Sequence, residues 1–150
     1  MSLPQGTHVN IVGAGLAGAL LALLLARRGL TVTLYERRPD PRQVRPERGR
    51  SINLALAARG LRALERAGVL ASVRPLLIAM RGRMVHERGG RAALQPYGQG
   101  EHEVIWSVGR AELNRVLIAG ALAHQQVRVH FDHHVPFHFH GNWAAGSPLD

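Results

Sequence analysis

The sequence predicts an α/β fold, in which strands alternate with helices, and three neighbouring stretches lead to this prediction. THVNIV (residues 7–12) is short, apolar and rich in β-branched residues, as a buried parallel strand is. The alanine- and leucine-rich residues 16–28 have a helical composition, and Gly29 follows them where a helix commonly ends on glycine. LTVTLYE (residues 30–36) is β-branched and apolar again. These stretches together predict a strand, helix and strand unit.

The rest of the chain continues the alternation and adds an antiparallel insertion. The expected elements are a short apolar run SINLAL (residues 51–56), a helix ended by Gly68, a hairpin around Gly89 and Gly90, a strand VIWSV (104–108), a helix from Arg110 and a strand VRVHF (127–131). We therefore expect one domain over residues 1–135 and an irregular, histidine-rich tail over residues 136–150.

Composition and charge restrict the class of ligand. The chain has 150 residues with a net charge of +9, and none of its 19 basic residues is a lysine. The arginines are spread from Arg27 to Arg128 instead of being clustered, which does not favour nucleic acid as a partner. Arginine suits carboxylates and phosphates, so we expect an acidic substrate or a phosphate-bearing cofactor. The absence of cysteine excludes disulfides and thiolate metal sites.

The apolar run at residues 11–26 raises the alternative of a membrane anchor. It falls just short of the roughly 17 to 25 residues that a spanning helix needs. No positively charged segment precedes it, as a secretory signal would require. We therefore expect a cytoplasmic protein without a membrane partner.

The stretch GAGLAG places Gly13, Gly15 and Gly18 in the pattern GxGxxG between the first strand and the first helix. The first glycine permits a tight turn, the second lets the backbone approach a pyrophosphate, and the third lets the helix pack closely. The pattern alone is weak in a run so rich in glycine and alanine. Its position between a strand and a helix is what predicts a dinucleotide-binding, Rossmann-like unit.

Glu36 ends the second strand, where an acid can accept hydrogen bonds from the hydroxyls of an adenosine ribose. Its charge would repel a ribose phosphate, so the loop should hold FAD or NAD rather than NADP. The alternative is that Glu36 is only a solvated charge at the end of a strand.

Further stretches carry a resemblance to a known family. RGRSINLALAARGLRALERAGV (residues 48–69), MRGRMVH, QPYG and VIWSVGRAELN match in order and spacing. With the glycine loop they resemble the kynurenine 3-monooxygenase family of group A FAD-dependent aromatic hydroxylases. The similarity runs from about residue 9 to about residue 135. It implies a Rossmann-like FAD-binding domain with an inserted antiparallel hairpin, truncated relative to the family.

The resemblance also implies a role for individual residues. Those expected to bind FAD are Gly13, Gly15, Ala17 and Gly18 around the pyrophosphate, Glu36 at the ribose, Arg37 and Arg38 at the adenosine side, and Ala55 and Arg110. Arg83 and Tyr97 are expected to bind the α-carboxylate of L-kynurenine. Apart from the resemblance, Arg83 is one of several hairpin arginines, and Tyr97 is a turn aromatic after Pro96. Arg110, at the start of a helix, has five donors that suit a phosphate or the polar edge of the flavin, and the alternative is a surface arginine.

The family's reaction converts L-kynurenine, NADPH and O2 to 3-hydroxykynurenine on tightly bound FAD, in tryptophan degradation. The cofactor supplies the difficult chemistry, so we expect no catalytic side chain. Because only the N-terminal part of the family is matched, we expect this chain to be inactive alone. The alternatives are a non-catalytic dinucleotide-binding remnant and a fragment of another FAD-dependent oxidoreductase.

The tail suggests two further alternatives. VPFHFHGN (residues 135–142) is faintly similar to a segment near the flavin in the family, which would suit a rearranged gene. Imidazoles also suit zinc, copper or nickel, and five histidines cluster here: His130, His133, His134, His138 and His140. Asp132 is the only nearby acid, so we expect no specific metal site.

Overall fold

The computed structural model describes residues 6–44, 53–100 and 103–133. The expected tail at residues 136–150 lies outside them, as do VPFHFHGN and His134, His138 and His140. The elements are β1 (His8–Val12), α1 (Leu16–Ala26), β2 (Thr31–Tyr35), β3 (Asn53–Leu56), α2 (Ala58–Arg66), α3 (Leu70–Val73), β4 (Ile78–Met80), β5 (Gly82–His86), β6 (Ala92–Pro96), β7 (Ile105–Gly109), α4 (Arg110–Leu122) and β8 (Val127–His130). The α/β class is confirmed.

The parallel sheet has the order β1, β2, β8, with β2 in the middle. Val32 and Leu34 of β2 are fully buried, as expected for a strand covered on its faces and paired on both edges. The parallel pairing of the two predicted strands is confirmed. The prediction that β1 is buried is wrong, since none of its five residues is buried. Within the described residues, β1 pairs only with β2, and this leaves its other edge open.

Two antiparallel sheets make up the inserted part. β3, β7 and β4 form one three-stranded sheet with β7 at its centre, and β5 and β6 form the second. The predicted hairpin is confirmed, and its turn contains Gly90 with φ of +82°. The sequence did not predict α3 or β4, because segments of four and three residues are too short to show a period.

Helices α1 and α4 pack against each other and against the parallel sheet. The buried residues of α1 are Ala19, Ala22, Leu23 and Ala26, and those of α4 are Leu113, Leu117, Ile118 and Ala121. Because α1 is apolar around its whole circumference, it also presents an apolar side chain to solvent, and Leu21 is 46% exposed. Within the described residues, no helix has the length and hydrophobicity needed to span a membrane.

Candidate dinucleotide-binding site

The turn between β1 and α1 depends on two of its glycines. Gly13 has φ of +97°, in the left-handed region that favours glycine. Its backbone N–H donates a 2.7 Å hydrogen bond to the carbonyl oxygen of Tyr35, which fixes the turn to the end of β2. A Cβ on Gly18 would overlap the carbonyl oxygen of Gly13. Gly18 therefore lets the first turn of α1 lie directly against the loop.

The space above this turn is open where a ligand would approach. A Cβ added to Gly13 or Gly15 would meet no atom within 4 Å. Gly15 is the N-cap of α1, no side chain caps the helix, and its first turn, which includes Ala17, contains no acid. The first N–H groups of a helix lack intrahelical partners and lie at its positive end. The loop therefore fits a pyrophosphate, which would accept hydrogen bonds from these groups.

Glu36 lies directly beside the glycine turn. Its Oε2 accepts a 2.8 Å hydrogen bond from the N–H of Ala14, and its Oε1 accepts a 3.0 Å bond from the N–H of Arg38. Its backbone N–H donates to the carbonyl oxygen of His130 at 2.8 Å, and its carbonyl oxygen accepts from the N–H of His133 at 3.0 Å. The half-buried carboxylate is thus held in place rather than free in solvent. Its remaining lone pairs can accept hydrogen bonds from ribose hydroxyls.

An aromatic cluster adjoins Glu36 at the carboxyl ends of β2 and β8. The ring of Tyr35 stacks on His130, with centroids 5.3 Å apart and planes 13° apart. His133 lies tilted at 4.7 Å from the same ring. In the sequence analysis, these histidines were considered only as possible metal ligands. Within the described residues, no group of three His, Cys, Asp or Glu side chains could hold a metal ion.

Residues 37–44 form the loop that leaves β2. Arg37 and Arg38 are both exposed, and the carbonyl oxygen of Arg38 accepts a 3.3 Å bond from the N–H of Asp132. Asp40 is buried and forms a 2.6 Å salt bridge with Arg42. The hydrogen bond from the Arg42 side chain is the main reason why the pKa of Asp40 lies below its usual value. The turn is therefore internally braced by a charged pair.

Within the described residues, hydrogen bonds from one side chain join this loop to α4. Arg115 donates from Nε to the carbonyl oxygen of Pro41 at 2.8 Å and from Nη2 to that of Val44 at 2.9 Å. Arg115 was not identified in the sequence analysis. The sequence alone does not indicate which of the dispersed arginines donates hydrogen bonds to backbone carbonyls far away in the chain.

Arg110 is the first residue of α4 and is exposed. Because α4 leads into β8, which is parallel to β2, the helix begins at the edge of the parallel sheet where the strands end. Ala55 lies on β3 of the antiparallel sheet and pairs with Ser107 of β7. Two residues earlier on β3, Asn53 pairs with Gly109, the residue that directly precedes α4. The structure thus places Arg110 on the same edge as the glycine turn and Glu36, where ligands of open α/β sheets bind.

Arg83 and Tyr97 lie on the separate hairpin of β5 and β6. The Nε of Arg83 donates a 2.7 Å hydrogen bond to Oε1 of Gln95, its neighbour across the strands. Tyr97 directly follows β6, and its N–H donates to the carbonyl oxygen of Arg81 at 3.0 Å. Strand alternation places Arg83, Gln95 and Tyr97 on one face of the hairpin. Both predicted substrate residues are exposed there. Their sheet is separate from the parallel sheet that carries the glycine turn.

A glycine turn that opens a helix, followed by an acid at the end of the next strand, defines a dinucleotide-binding protein. Residues 6–142 match the model of the FAD binding domain family, and the chain belongs to this family. The predicted cofactor, FAD, is therefore confirmed.

Curated relatives extend the comparison. The chain is 54% identical over 127 residues to a kynurenine 3-monooxygenase of Stenotrophomonas maltophilia (strain K279a), covering 81% of this chain and 28% of the relative. It is also 54% identical over 135 residues to that of Xanthomonas axonopodis pv. citri (strain 306), covering 87% of this chain and 30% of the relative. The chain therefore spans less than a third of the length of these relatives.

Solved structures agree on the fold. PqsL of P. aeruginosa in complex with 2-aminobenzoylacetate superposes with a TM-score of 0.66 at 26% identity, over 84% of this chain and 34% of that chain. The p-nitrophenol 4-monooxygenase of Pseudomonas putida DLL-E4 superposes with a TM-score of 0.68 at 18% identity, over 87% of this chain and 33% of that chain. The predicted fold is confirmed as part of the FAD-binding domain of group A flavin monooxygenases.

Proposed function

We propose that this sequence is the FAD-binding part of an FAD- and NADPH-dependent aromatic hydroxylase that converts L-kynurenine to 3-hydroxykynurenine. The observation that carries the proposal is the 54% identity over 127 residues to a protein named kynurenine 3-monooxygenase. The activity is proposed for a full-length protein that carries this sequence, since the relatives are more than three times as long as the matched part.

The chain's own residues would hold FAD at the carboxyl edge of the parallel sheet. Gly13, Gly15, Ala17 and Gly18 would surround the pyrophosphate, where the free N–H groups of α1 meet open space. Glu36 would accept hydrogen bonds from the ribose hydroxyls while Ala14 and Arg38 hold its carboxylate. The exposed cations Arg37 and Arg38 would line the adenosine side of FAD. Arg110 would contact a phosphate or the polar edge of the flavin, and Ala55 would also contact FAD.

The substrate's α-carboxylate would bind to the hairpin. The bond from Arg83 Nε to Gln95 leaves both Nη groups of Arg83 without a hydrogen-bond partner among the described residues, and these can form a two-point contact with a carboxylate. Tyr97 lies on the same face and would donate its hydroxyl. Gln95 is a residue that sequence reasoning missed, and its contribution would be to orient Arg83.

Bound FAD supplies the redox chemistry that activates O2 and hydroxylates the ring. The protein's part is to orient both molecules and to exclude water from the reacting atoms. No side chain of the chain is proposed as a nucleophile or as a general base.

Titration of the purified chain with FAD tests the first part of the proposal. We expect saturable binding at micromolar FAD, seen as a change in flavin fluorescence and a rise in Tm. ADP should compete for the site, whereas FMN, which lacks the adenosine half, should compete poorly. The absence of a saturable response to FAD would contradict the proposal.

A chimera tests the reaction. Residues 6–133 of this chain would replace the matching segment of the Stenotrophomonas maltophilia relative, and hydroxylation of L-kynurenine with NADPH would be measured. Arg83→Ala in the chimera should raise KM for kynurenine and leave the absorption spectrum of bound flavin unchanged. Arg88→Ala, in the turn of the same hairpin, is the matched control and should change neither. Loss of flavin from the Arg83→Ala protein would reassign that residue to cofactor binding.

A further inference from the structure

The loop at residues 37–44 joins two groups of predicted FAD contacts. It begins at Arg37 and Arg38, directly after Glu36, and it is fastened to α4, the helix that Arg110 opens. The fastening consists of the guanidinium of Arg115, which bridges the carbonyl oxygens of Pro41 and Val44. The bridge therefore ties the segment that follows Arg37 and Arg38 to the helix that Arg110 opens.

We propose that Arg115 is a positioning residue for the adenosine half of FAD, acting through the backbone of this loop. The inference rests on the proposed function for its ligand. Arg115 need not touch FAD, because its two hydrogen bonds go to backbone oxygens of the loop. Without that bridge, the ligand-free loop would adopt its binding conformation for only part of the time.

The other contacts of the loop do not replace this bridge. The salt bridge between Asp40 and Arg42 is internal to the loop, so it shapes the turn without fixing its place relative to α4. The N–H of Asp132 donates a 3.3 Å hydrogen bond to the carbonyl oxygen of Arg38. This bond links the start of the loop, before Pro41, to the segment that follows β8. Loss of Arg115 thus frees residues 39–44 from α4 while leaving the shape of the turn intact.

A freed loop lowers affinity by reducing the population of the binding-competent state. If the loop is competent about a tenth of the time, the apparent Kd rises about tenfold. Arg115→Met keeps most of the length of the side chain and its packing but removes both donors. Arg115→Lys keeps the charge and one flexible donor group, without the planar fork that bridges two oxygens.

The test measures ADP binding to the full 150-residue chain by isothermal titration calorimetry. Arg115→Met should weaken ADP binding about tenfold, and Arg115→Lys should fall between Arg115→Met and wild type. Arg62→Met, on the exposed side of α2, is the control and should bind ADP as wild type does. Trypsin should also cut the Arg115→Met protein after Arg42 about tenfold faster than it cuts wild type.

The outcomes separate this proposal from the one on which it rests. If wild type fails to bind ADP, the proposed function fails, and the role of Arg115 fails with it. If wild type binds ADP and Arg115→Met binds it equally well, only the role of Arg115 is wrong. A lower Tm with unchanged ADP affinity and unchanged cleavage after Arg42 would make Arg115 a purely structural residue and would also overturn the proposal.

Discussion

The N–H of Ala14 donates a 2.8 Å hydrogen bond to Oε2 of Glu36, a residue 22 positions away in the sequence. This bond joins the glycine turn to the acid of the second strand. It orients the carboxylate before any ligand arrives, so the proposed binding of FAD would require little rearrangement of Glu36.

Glu36→Gln should weaken binding of ADP and FAD by about 10- to 100-fold, since hydrogen bonds to a charged group contribute about 1.5–3 kcal/mol. One amide oxygen replaces two carboxylate oxygens, so either Ala14 or Arg38 loses its acceptor. Because the negative charge is removed, the ratio of affinities for ADP and for 2′-phosphorylated ADP should fall. Competition titrations with both nucleotides measure this ratio, and an unchanged ratio would show that Glu36 does not face the ribose.

Two glycine substitutions separate the fold from the binding site. Gly18→Ala should cost about 1–3 kcal/mol of stability or more, because its Cβ overlaps the carbonyl of Gly13. Gly15→Ala should leave Tm nearly unchanged, since its Cβ meets open space. It should still weaken FAD binding, because its methyl group would enter the space proposed for the pyrophosphate. Thermal unfolding and FAD titration of both variants check this, and a wild-type FAD affinity for Gly15→Ala would place the pyrophosphate elsewhere.

The salt bridge between Asp40 and Arg42 makes stability depend on pH in the acid range. Arg42 lowers the folded-state pKa of Asp40, so the unfolded chain binds its proton at a higher pH than the folded chain does. The stabilisation is fully present above the unfolded pKa of about 4 and is lost as the pH falls through the lower folded pKa. Asp40→Asn should therefore lower Tm at pH 6, and the difference from wild type should shrink below pH 4. A difference that stays constant down to pH 3 would exclude this pair as the cause.

Gly120→Ala has two opposing effects on stability, a gain in helix propensity and a loss of packing between α4 and its neighbours. Alanine gains about 1 kcal/mol over glycine inside a helix. Its Cβ would, however, lie 2.7 Å from Cγ1 of Val69, a stiff β-branched side chain. We expect the overlap to prevail and the free energy of unfolding to fall by about 1–2 kcal/mol. Urea unfolding measures this, and Gly120→Ala combined with Val69→Ala should recover part of the loss.

The sequence predicted the parallel unit well because its signals are local. Glycine spacing, β-branched runs and the acid at Glu36 each lie within a few residues of the feature that they indicate. The burial of β1 was mispredicted, because composition cannot tell whether a strand has neighbours on one edge or on both. The pairing of β3 and β4 with β7 depends on contacts between distant segments, which no period reveals.

The site was predicted in the same uneven way. The glycine turn and Glu36 follow from the pattern and from strand order. Arg83 and Tyr97 were named through the resemblance, and their shared face on the hairpin appears only once the register of β5 and β6 is known. Arg115 and Gln95 meet their partners by tertiary placement, which leaves no signature in the sequence.

The position of β2 between β1 and β8 has a consequence for how the protein is made. Its partner β8 is distant in the chain, with Val32 paired to Val127 and Tyr35 to His130. A ribosome delivers β8 long after β1, α1 and β2 have emerged, and pairings of such long range form slowly. We therefore expect the backbone hydrogen bonds of Glu36 with His130 and His133 to form late in folding. Flavin present during translation would capture the molecule at that stage and raise the yield of folded protein.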